Sequence, residues 1–518
     1  MMRSMETVDN IKDDDIDISL LKDISLSYVK GNVMLPLRVQ GDSLVAAVAG
    51  NRGVYALRDL ARSRGLKPHP VQADEKTILD TINRIYSQAS RVDEVMGDIK
   101  GEDLSMIATE FESPKDLLEL TEEAPIIRLL NALLMEAVKE KASDIHIEPY
   151  EKGIDVRFRV DGILNKVLSP PKIIHDALIS RIKIIAGLDI AEKRLPQDGR
   201  IKLLVGGKDI DIRVSIIPTA LGERAVLRLL DRQAGVLSLE MLGLADETLN
   251  SLKRALSRQN GIILVTGPTG SGKTTTLYAS LLRLNTEERN IITVEDPVEY
   301  QLSGIGQMQV NPRIGLTFAT GLRSILRQDP DIMMVGEIRD LETAEIAVHA
   351  SLTGHLVLST LHTNDAPSAV ARLVDMGIEP FLVASSLVCI LAQRLIRVIC
   401  PYCKEPYTPS RQELSYLSPH TPDVLYRGKG CDKCLGKGYL GRTGIYEFLD
   451  ITSDIRAMIV ERKDAEAIRA AAVKAGFKPL HENAIEKILR GITTVEEALR
   501  ITQSINTLPE EGELYSSP

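Results

Sequence analysis

The chain has 518 residues and a mass of 57.0 kDa, enough for three or four domains of about 150 residues each. Hydrophobic residues make up 44% of it and charged residues 26%, which excludes disorder as the main state. A net charge of −9 and the lack of Trp argue against a protein that coats nucleic acid or stacks its bases on aromatic rings.

Residues 1–90 are predicted to form a small α/β or α+β domain. Short apolar runs at 33–39 and 43–49 stand beside helical patterns at 54–64 and 75–87. The chain starts with acids rather than with a basic and then an apolar region, so we expect no signal peptide. No apolar run reaches the roughly 20 residues that span a bilayer, which predicts a cytoplasmic protein.

Residues 91–118 are predicted to be a solvated linker, because acids dominate and apolar periodicity is weak. A second α+β domain is predicted for residues 119–235. Its first helix begins at Pro125, and alternating apolar and polar residues follow. Asp161-Gly162 interrupts this alternation, which is a strong hairpin signal.

Residues 236–393 are predicted to hold a parallel sheet covered on both faces. Short apolar runs alternate there with helical segments, at 262–266, 291–294, 332–335 and 356–360. Parallel strands of this kind bind ligands at their carboxyl ends. We therefore expect the functional residues just after these runs.

The segment GPTGSGKT follows the first run and fits the pattern G-x-x-x-x-G-K-[ST] between a strand and a helix. Its residues are Gly267, Pro268, Thr269, Gly270, Ser271, Gly272, Lys273 and Thr274. The glycines let backbone N–H groups wrap a phosphate, and the helix N-terminus adds positive potential. Lys273 would bridge the β- and γ-phosphates of ATP, and Thr274 would bind Mg²⁺. The alternative is a chance match in a Gly-rich turn.

Acids follow two of the other predicted strands. The segment VEDPVEY offers Glu295, Asp296 and Glu299 after the second run. Glu337 follows the third run at the Walker B position, as a Glu after a Gly rather than the usual Asp. Such acids would serve Mg²⁺ and the attacking water, or else are solvated loop acids and helix caps.

Two of the eight histidines, His355 and His362, flank the fourth run. A histidine can donate a hydrogen bond to an anion and changes its charge near pH 7, which suits γ-phosphate sensing. The alternative is a pair of ordinary strand-end histidines.

Four of the five cysteines form two C-x-x-C pairs in the predicted subdomain 394–445. They are Cys400, Cys403, Cys431 and Cys434. Four thiolates in two such pairs suit a structural, tetrahedral Zn²⁺ site, with unligated or redox cysteines as the alternative. The remaining part, 446–518, is predicted to be helical with a disordered tail.

Four segments together carry a family resemblance: GPTGSGKTTTLY, TVEDPVEY, DPDIMMVGEIRD and TGHLVLSTLHTNDA. They resemble the secretion ATPase superfamily, which drives type II secretion and type IV pili, over about residues 120–505. The resemblance implies an α/β, P-loop (RecA-like) ATPase domain after a PAS-like α+β domain, with a Zn-binding insertion and a C-terminal helical part. Residues 1–90 are similar to the family's domain that docks an inner-membrane partner.

The resemblance also implies roles for single residues. Glu299 would position or deprotonate the attacking water, Glu337 would hold Mg²⁺ through water, and the two histidines match the His box. Five arginines match those that reach the phosphate or link subunits: Arg213, Arg228, Arg323, Arg327 and Arg339. The alternatives are sheet-face residues for the first two, and surface ion pairs.

These resemblances favour a homohexameric cytoplasmic ATPase that uses ATP, Mg²⁺ and Zn²⁺ to build the pseudopilus of a type II secretion system. It would be held at the inner membrane by a partner that binds residues 1–90, and would act on an inner-membrane platform protein. The segments RLPQDGRI and DMGIEPFLVASSL favour secretion over a type IV pilus assembly ATPase, the first alternative. A nucleic-acid translocase and a degenerate scaffold are further alternatives, and no nucleic-acid partner is expected.

Overall fold

The structure is a computed structural model, and it describes residues 11, 15–21, 24, 26–79, 81–82, 125–205, 208–231 and 237–502. The predicted linker and the predicted tail lie outside the described residues. The chain divides into two compact units, Met1–Ala234 and Gly235–Pro518. No helix within the described ranges is both long and apolar enough to cross a membrane.

The first unit begins with a three-stranded sheet. In chain order its elements are α1 (Leu26–Asn32), β1 (Met34–Gln40), β2 (Ser43–Val48), α2 (Gly50–Ser63) and β3 (Lys67–Gln72). β2 pairs antiparallel with β1 and parallel with β3. The sequence KPHPVQ of β3 was not predicted as a strand because its two prolines cannot donate hydrogen bonds. An edge strand with one neighbour tolerates them.

The rest of the first unit is a six-stranded antiparallel sheet with helices on one face. Its elements are α3 (Pro125–Lys139), β4 (Asp144–Pro149), β5 (Ile154–Val160), β6 (Ile163–Leu168), α4 (His175–Ala186), β7 (Gln197–Val205), β8 (Lys208–Thr219) and β9 (Gly222–Asp231). The strand order is β6-β5-β4-β9-β8-β7. Val160 pairs with Ile163 across Asp161 and Gly162, both at positive φ, so the predicted hairpin is confirmed.

The second unit is built around a seven-stranded sheet. Its elements up to this sheet's last central strand are α5 (Asp246–Leu256), β10 (Gly261–Thr266), α6 (Lys273–Leu284), β11 (Ile291–Glu295), β12 (Gly306–Gln309), α7 (Phe318–Ile325), β13 (Ile332–Val335), α8 (Leu341–Leu352), β14 (Leu356–Leu361), α9 (Ala366–Asp375), α10 (Pro380–Ser386) and β15 (Leu387–Ile399). The strand order is β12-β11-β13-β14-β10-β15-β18, where β18 is the later strand Tyr439–Asp450. All neighbours from β12 to β15 are parallel, as predicted.

Apolar clusters cover both faces of this sheet. Ile262 and Leu264 of β10 pack in one cluster, whereas the intervening Ile263 and Val265 pack in the other. Successive side chains of a strand point to opposite faces, so each cluster marks one face. The expectation of a sheet buried on both sides is confirmed.

The cysteine-bearing segment leaves this sheet and returns to it. Its elements and the C-terminal ones are β16 (Lys404–Tyr407), α11 (Arg411–Leu417), β17 (Leu425–Gly428), β18 (Tyr439–Asp450), α12 (Ser453–Val460), α13 (Ala465–Lys474), α14 (Leu480–Leu489) and α15 (Val495–Thr502). β18 pairs antiparallel with β15, from Cys389↔Asp450 to Ile399↔Tyr439. The boundaries predicted at 393/394 and 445/446 thus lie inside paired strands, because a continuous buried run does not show where a strand leaves the core.

Candidate functional site

The P-loop lies between β10 and α6, at the carboxyl edge of the central sheet. Gly267 has a φ of 146°, and a Cβ there would lie 2.5 Å from the main-chain oxygen of Gln393. Gly272, with a φ of 88°, is the N-cap of α6. Both positions require glycine, for space in the first case and for backbone conformation in both. The loop therefore has the closely wrapped backbone that a phosphate site needs.

Buried hydrogen bonds hold the P-loop to the neighbouring strands. The Gln393 side chain donates from Nε2 to Ser271 O at 2.7 Å and accepts from Thr276 Oγ1 at 2.8 Å. Thr266 Oγ1 lies 2.6 Å from Thr363 Oγ1 and accepts from the Thr363 N–H at 3.1 Å. Because these groups are satisfied by one another, the loop is fixed in shape before any phosphate binds.

Lys273 is folded onto its own loop. Its Nζ donates to Gly267 O at 2.8 Å and to Pro268 O at 3.1 Å. Burial lowers the pKa of Lys273 to about 8, the charge of Glu337 raises it, and that of Arg394 lowers it further. The ammonium group thus stands where a phosphate oxygen could replace the carbonyl oxygens as its partner.

Glu337 lies two residues beyond β13 and is held from two sides. Its side chain is 12% exposed, and its carboxylate forms an ion pair with Arg339 and accepts from His362 Nε2 at 3.1 Å. The hydrogen bond with Glu337 raises the pKa of Arg339 above its ordinary value. A cavity of about 520 Å³ opens beside these groups, lined by Glu337, Ile338, Arg339, Leu361, His362 and Arg372. The predicted Walker B acid, one predicted arginine and one predicted histidine therefore meet at one edge.

The two histidines do not meet. His362 follows β14, whereas His355 precedes it, and parallel β14 separates them by about 20 Å. The His355 ring lies 2.9 Å from Ala350 O and 3.2 Å from Thr353 Oγ1, at the edge opposite the P-loop of its own chain. Within one chain, His362 thus lies at the P-loop edge of the sheet and His355 lies at the opposite edge.

The three acids of VEDPVEY differ in their surroundings. Glu295 ends β11, is 3% exposed, and accepts hydrogen bonds from Tyr278, Thr293 and Gln307. Asp296 is exposed, and Glu299 is half-buried in the loop that follows. Glu295 is committed to hydrogen bonds inside the protein, which leaves Asp296 and Glu299 as the acids of this segment that can serve a ligand.

The other predicted arginines of the second unit lie on the surface. Arg323 of α7 forms an exposed ion pair with Glu342 at 2.7 Å. Arg327 donates to Arg323 O at 2.9 Å. These contacts are those of the surface alternative, and exposed ion pairs contribute little to stability.

Arg213 and Arg228 belong to a row of arginines on the sheet of the first unit. In the strand register, Arg213 lies opposite Arg200 on β7 and opposite Arg228 on β9. Arg228 in turn lies opposite Asp144 on β4, and its Nε donates to Asp144 Oδ1 at 2.9 Å. Residues paired in register share a face about 5 Å apart. One face of this sheet thus presents three neighbouring guanidinium groups, a set suited to phosphate.

The four predicted cysteines form one cluster. The sulfurs of Cys400 and Cys431 are 3.8 Å apart, as are those of Cys403 and Cys434, and Cys431 and Cys434 are 3.7 Å apart. Four sulfurs at about 2.3 Å from a tetrahedral Zn²⁺ stand about 3.8 Å from one another. The Gly430 N–H donates to Cys403 Sγ at 3.3 Å, which stabilises a thiolate. The donor set therefore fits Zn²⁺ with no open position.

Some residues that build the site were not predicted from the sequence. Gln393 ends an apolar run, Thr363 lies in a loop, and Tyr278 lies on an apolar helix face. Their partners lie 117, 97 and 17 residues away respectively, so no local pattern points to them. The one sequence signal that could have indicated Tyr278 is its place on the helix that follows GPTGSGKT.

Two family models match the chain. Residues 119–500 match the model described as type II/IV secretion system protein, and residues 7–92 match the MshEN domain. The first match spans well over half of the chain and includes the P-loop and all four clustered cysteines.

Two curated relatives and one solved structure are similar to the chain. The type II secretion system ATPase E of Vibrio cholerae is 52% identical over 431 residues, 83% of this chain and 85% of that protein. The type IV pilus assembly ATPase PilB of Myxococcus xanthus is 44% identical over 508 residues, 97% of this chain and 89% of that protein. The structure of the Legionella pneumophila ATPase DotB covers 72% of this chain and 95% of its own, with a TM-score of 0.54 at 22% identity. This last likeness confirms the predicted fold class.

Proposed function

The chain belongs to the type II/IV secretion system protein family, and from this premise we propose that it hydrolyses ATP to power pseudopilus assembly and protein export by a type II secretion system. The observation that carries the proposal is the convergence of Lys273, Glu337 and His362 at the carboxyl edge of one parallel sheet. The 52% identity to a protein named type II secretion system ATPase E supports the secretion role.

In this mechanism the phosphates of ATP lie against the P-loop N–H groups and Lys273, which replaces its carbonyl partners by phosphate oxygens. The Thr274 hydroxyl would hold Mg²⁺ directly and Glu337 would hold it through water, and the bound ion would neutralise part of the phosphate charge. Glu299 orients or deprotonates the water that attacks the γ-phosphorus, and ADP leaves. His362 donates to the oxygens on which charge builds.

We assign Arg213 and Arg228 to the terminal phosphate. Phosphoryl transfer spreads charge over three equatorial oxygens, and an added guanidinium group is worth roughly 10³–10⁵ in rate. The support is the cross-strand pairing of the two arginines on a single sheet face. Arg323, Arg327 and Arg339 are assigned to links between subunits or to the phosphate.

The working assembly in this proposal is a homohexamer at the cytoplasmic face of the inner membrane. The N-terminal domain docks onto the cytoplasmic domain of an inner-membrane partner, and the match of residues 7–92 to the MshEN domain supports a separate docking module. Hydrolysis then moves an inner-membrane platform protein. The proposed domains are residues 1–90, 91–118, 119–235, 236–393, 394–445 and 446–518. The limits at 393/394 and 445/446 fall within the paired strands β15 and β18.

The test is ATP turnover by the full chain with Mg²⁺, with and without the partner's cytoplasmic domain. Lys273→Ala should abolish turnover, because no other ammonium group of the P-loop can hold the phosphates. Lys463→Ala, which removes an exposed lysine that pairs with Glu461 at 3.5 Å, is the matched control and should keep wild-type turnover. Wild-type turnover by Lys273→Ala would overturn the assignment.

A type IV pilus assembly ATPase is the second candidate. It is favoured by the 44% identity to the Myxococcus xanthus relative, which extends over 97% of this chain. Expression in cells that lack their own secretion ATPase or their own pilus ATPase separates the two. Restored export with no surface pili supports the secretion role, and the reverse result replaces it.

A further inference from the structure

A buried polar cluster joins the helix that starts in the P-loop to the segment that carries Glu299. Its centre is Tyr278, which has no exposed surface and lies on α6 five residues after Lys273. The Tyr278 hydroxyl donates to the Glu295 carboxylate. Burial, with the charge of Glu295, raises the pKa of Tyr278 well above its ordinary value, so the hydroxyl keeps its proton.

This donation fixes what else the phenol oxygen can do. Because the single O–H of Tyr278 points to Glu295, the phenol oxygen can only accept hydrogen bonds from other groups. It accepts from the main-chain N–H of Glu299 at 3.3 Å and from Gln307 Nε2 at 3.4 Å. The backbone of Glu299 is therefore bound to the P-loop helix by a hydrogen bond in which the Glu299 N–H donates and the Tyr278 oxygen accepts.

Further contacts hold the loop between β11 and β12 on the same support. Gln307 Nε2 donates to Tyr300 O at 3.2 Å, and its Oε1 accepts from the Leu302 N–H at 2.7 Å. The rings of Tyr278 and Tyr300 meet edge to face with centroids 4.7 Å apart. Asn285, at the end of α6, donates to Ser303 O at 2.8 Å. The loop thus contacts α6 in the middle of the helix, at Tyr278, and at its C-terminal end, at Asn285.

We propose that Tyr278 is a positioning residue for ATP hydrolysis, which fixes Glu299 relative to the P-loop through Glu295 and the Glu299 main-chain N–H. This inference rests on the function proposed above and extends it. The P-loop end of α6 holds the phosphate, and Tyr278 on the same helix holds the backbone of the acid that acts on water. A displacement of about 1 Å at such a group is enough to cost 10²-fold in rate.

The cluster gives the phenol hydroxyl a role beyond filling the core. Glu295 keeps two other donors, Thr293 and Gln307, when that hydroxyl is removed. The carboxylate then stays satisfied, and the Phe ring keeps the contact with Tyr300. Tyr278→Phe should therefore remain folded, while the N–H of Glu299 loses its acceptor.

The first experiment measures turnover and nucleotide binding in the full chain. Tyr278→Phe should lower kcat about tenfold or more while the Kd for ADP stays within about twofold, since only the transition state needs Glu299 in place. Gln307→Met removes the other side chain that holds the same loop. It should also lower kcat with little change in the Kd for ADP, but by a smaller factor. The matched control is Tyr416→Phe, which loses a hydroxyl contact to Thr502 at 3.3 Å outside this cluster and should keep wild-type kcat and Kd.

The second experiment is a double-mutant cycle with Glu299→Gln, which keeps the main-chain N–H. If Tyr278 acts through Glu299, Tyr278→Phe lowers kcat no further in the Glu299→Gln background. Wild-type kcat in folded Tyr278→Phe, a matching rise in Kd, or fully additive losses would each overturn the inference. Lys273→Ala in the same assay separates the two proposals. If that variant is inactive, any of these three results overturns only the role of Tyr278. If that variant is active, the ATPase assignment itself is overturned.

Discussion

The two sets of groups proposed to bind phosphate differ in how many buried hydrogen bonds hold them. At the P-loop edge of the second unit, Gln393, Thr266 and Tyr278 are buried and engaged in hydrogen bonds that fix the backbone. On the sheet of the first unit, the side chain of Arg228 is 56% exposed and pairs with Asp144 at 2.9 Å. Buried hydrogen bonds hold the backbone of the first region, whereas the second region presents long side chains at its surface.

After the loss expected for Lys273→Ala, the largest expected effect concerns the arginine row. Arg213→Ala or Arg228→Ala should lower kcat roughly 10³-fold, because each guanidinium stabilises charge that develops only in the transition state. The Kd for ADP should change little. Steady-state turnover and ADP titration check this, with Lys166→Ala, which removes an exposed partner of Asp155 at 2.8 Å, as control on the same sheet. Loss of ADP binding together with loss of fold would instead identify the arginines as structural sheet residues.

At the P-loop edge, Glu337→Gln should lower kcat about 10²-fold, since a neutral amide attracts Mg²⁺ far less than a carboxylate does. The amide keeps the size of the side chain, and His362 and Arg339 lose an ionic partner. The half-saturating Mg²⁺ concentration should rise with the loss of the carboxylate. An unchanged Mg²⁺ dependence of turnover would contradict the assignment of Glu337.

The pKa of Lys273 near 8 gives the edge a pH dependence of its own. The lysine is charged below pH 8 and neutral above it, so ADP affinity should be flat below pH 8 and then fall by up to about tenfold per pH unit. Lys273→Arg, whose guanidinium stays charged, should remove the fall. Calorimetric titrations between pH 7 and 9.5 check this, and a wild-type affinity that is flat over the whole range would refute it.

The smallest effect on turnover is expected at the cysteine cluster. Cys400→Ser should reduce bound zinc from about one per chain to near zero, because three thiolates and a hydroxyl hold Zn²⁺ poorly. Turnover should fall by only about twofold, since the cluster has no open position for chemistry. Metal analysis checks this, with Cys389→Ala, a buried cysteine outside the cluster, as control. Zinc retained in Cys400→Ser would contradict the site.

The contrast between the two regions also explains what the sequence could predict. GPTGSGKT and the strand before it specify the P-loop locally, because glycine spacing and apolar period are properties of neighbouring residues. Arg213 and Arg228 were assigned only by resemblance. The register of β8 and β9 shows that the two residues lie on one face of the sheet. A cross-strand pair depends on register, which the alternating pattern limits but does not fix.

Three features needed the folded chain. His355 and His362 stand seven positions apart in a pattern that reads as one motif, but a strand puts them at opposite edges. Glu295 reads as a third acid of the site, yet burial commits it to Tyr278. β15 reads as a plain apolar run, and its pairing with β18 depends on residues about 50 positions later. Long-range partners decide each of these cases.

The cysteine-bearing segment is anchored to the central sheet by the antiparallel pairing of β15 with β18. Ile399 and Tyr439 form a pair at the base of the excursion, so both ends leave the sheet side by side. Gln393, which holds the P-loop, lies on β15 about 20 Å along the strand from this base. One hydrogen-bonded pair of strands, whose register shifts once between Arg397 and Ile399, therefore joins the cysteine cluster to the backbone beside the P-loop.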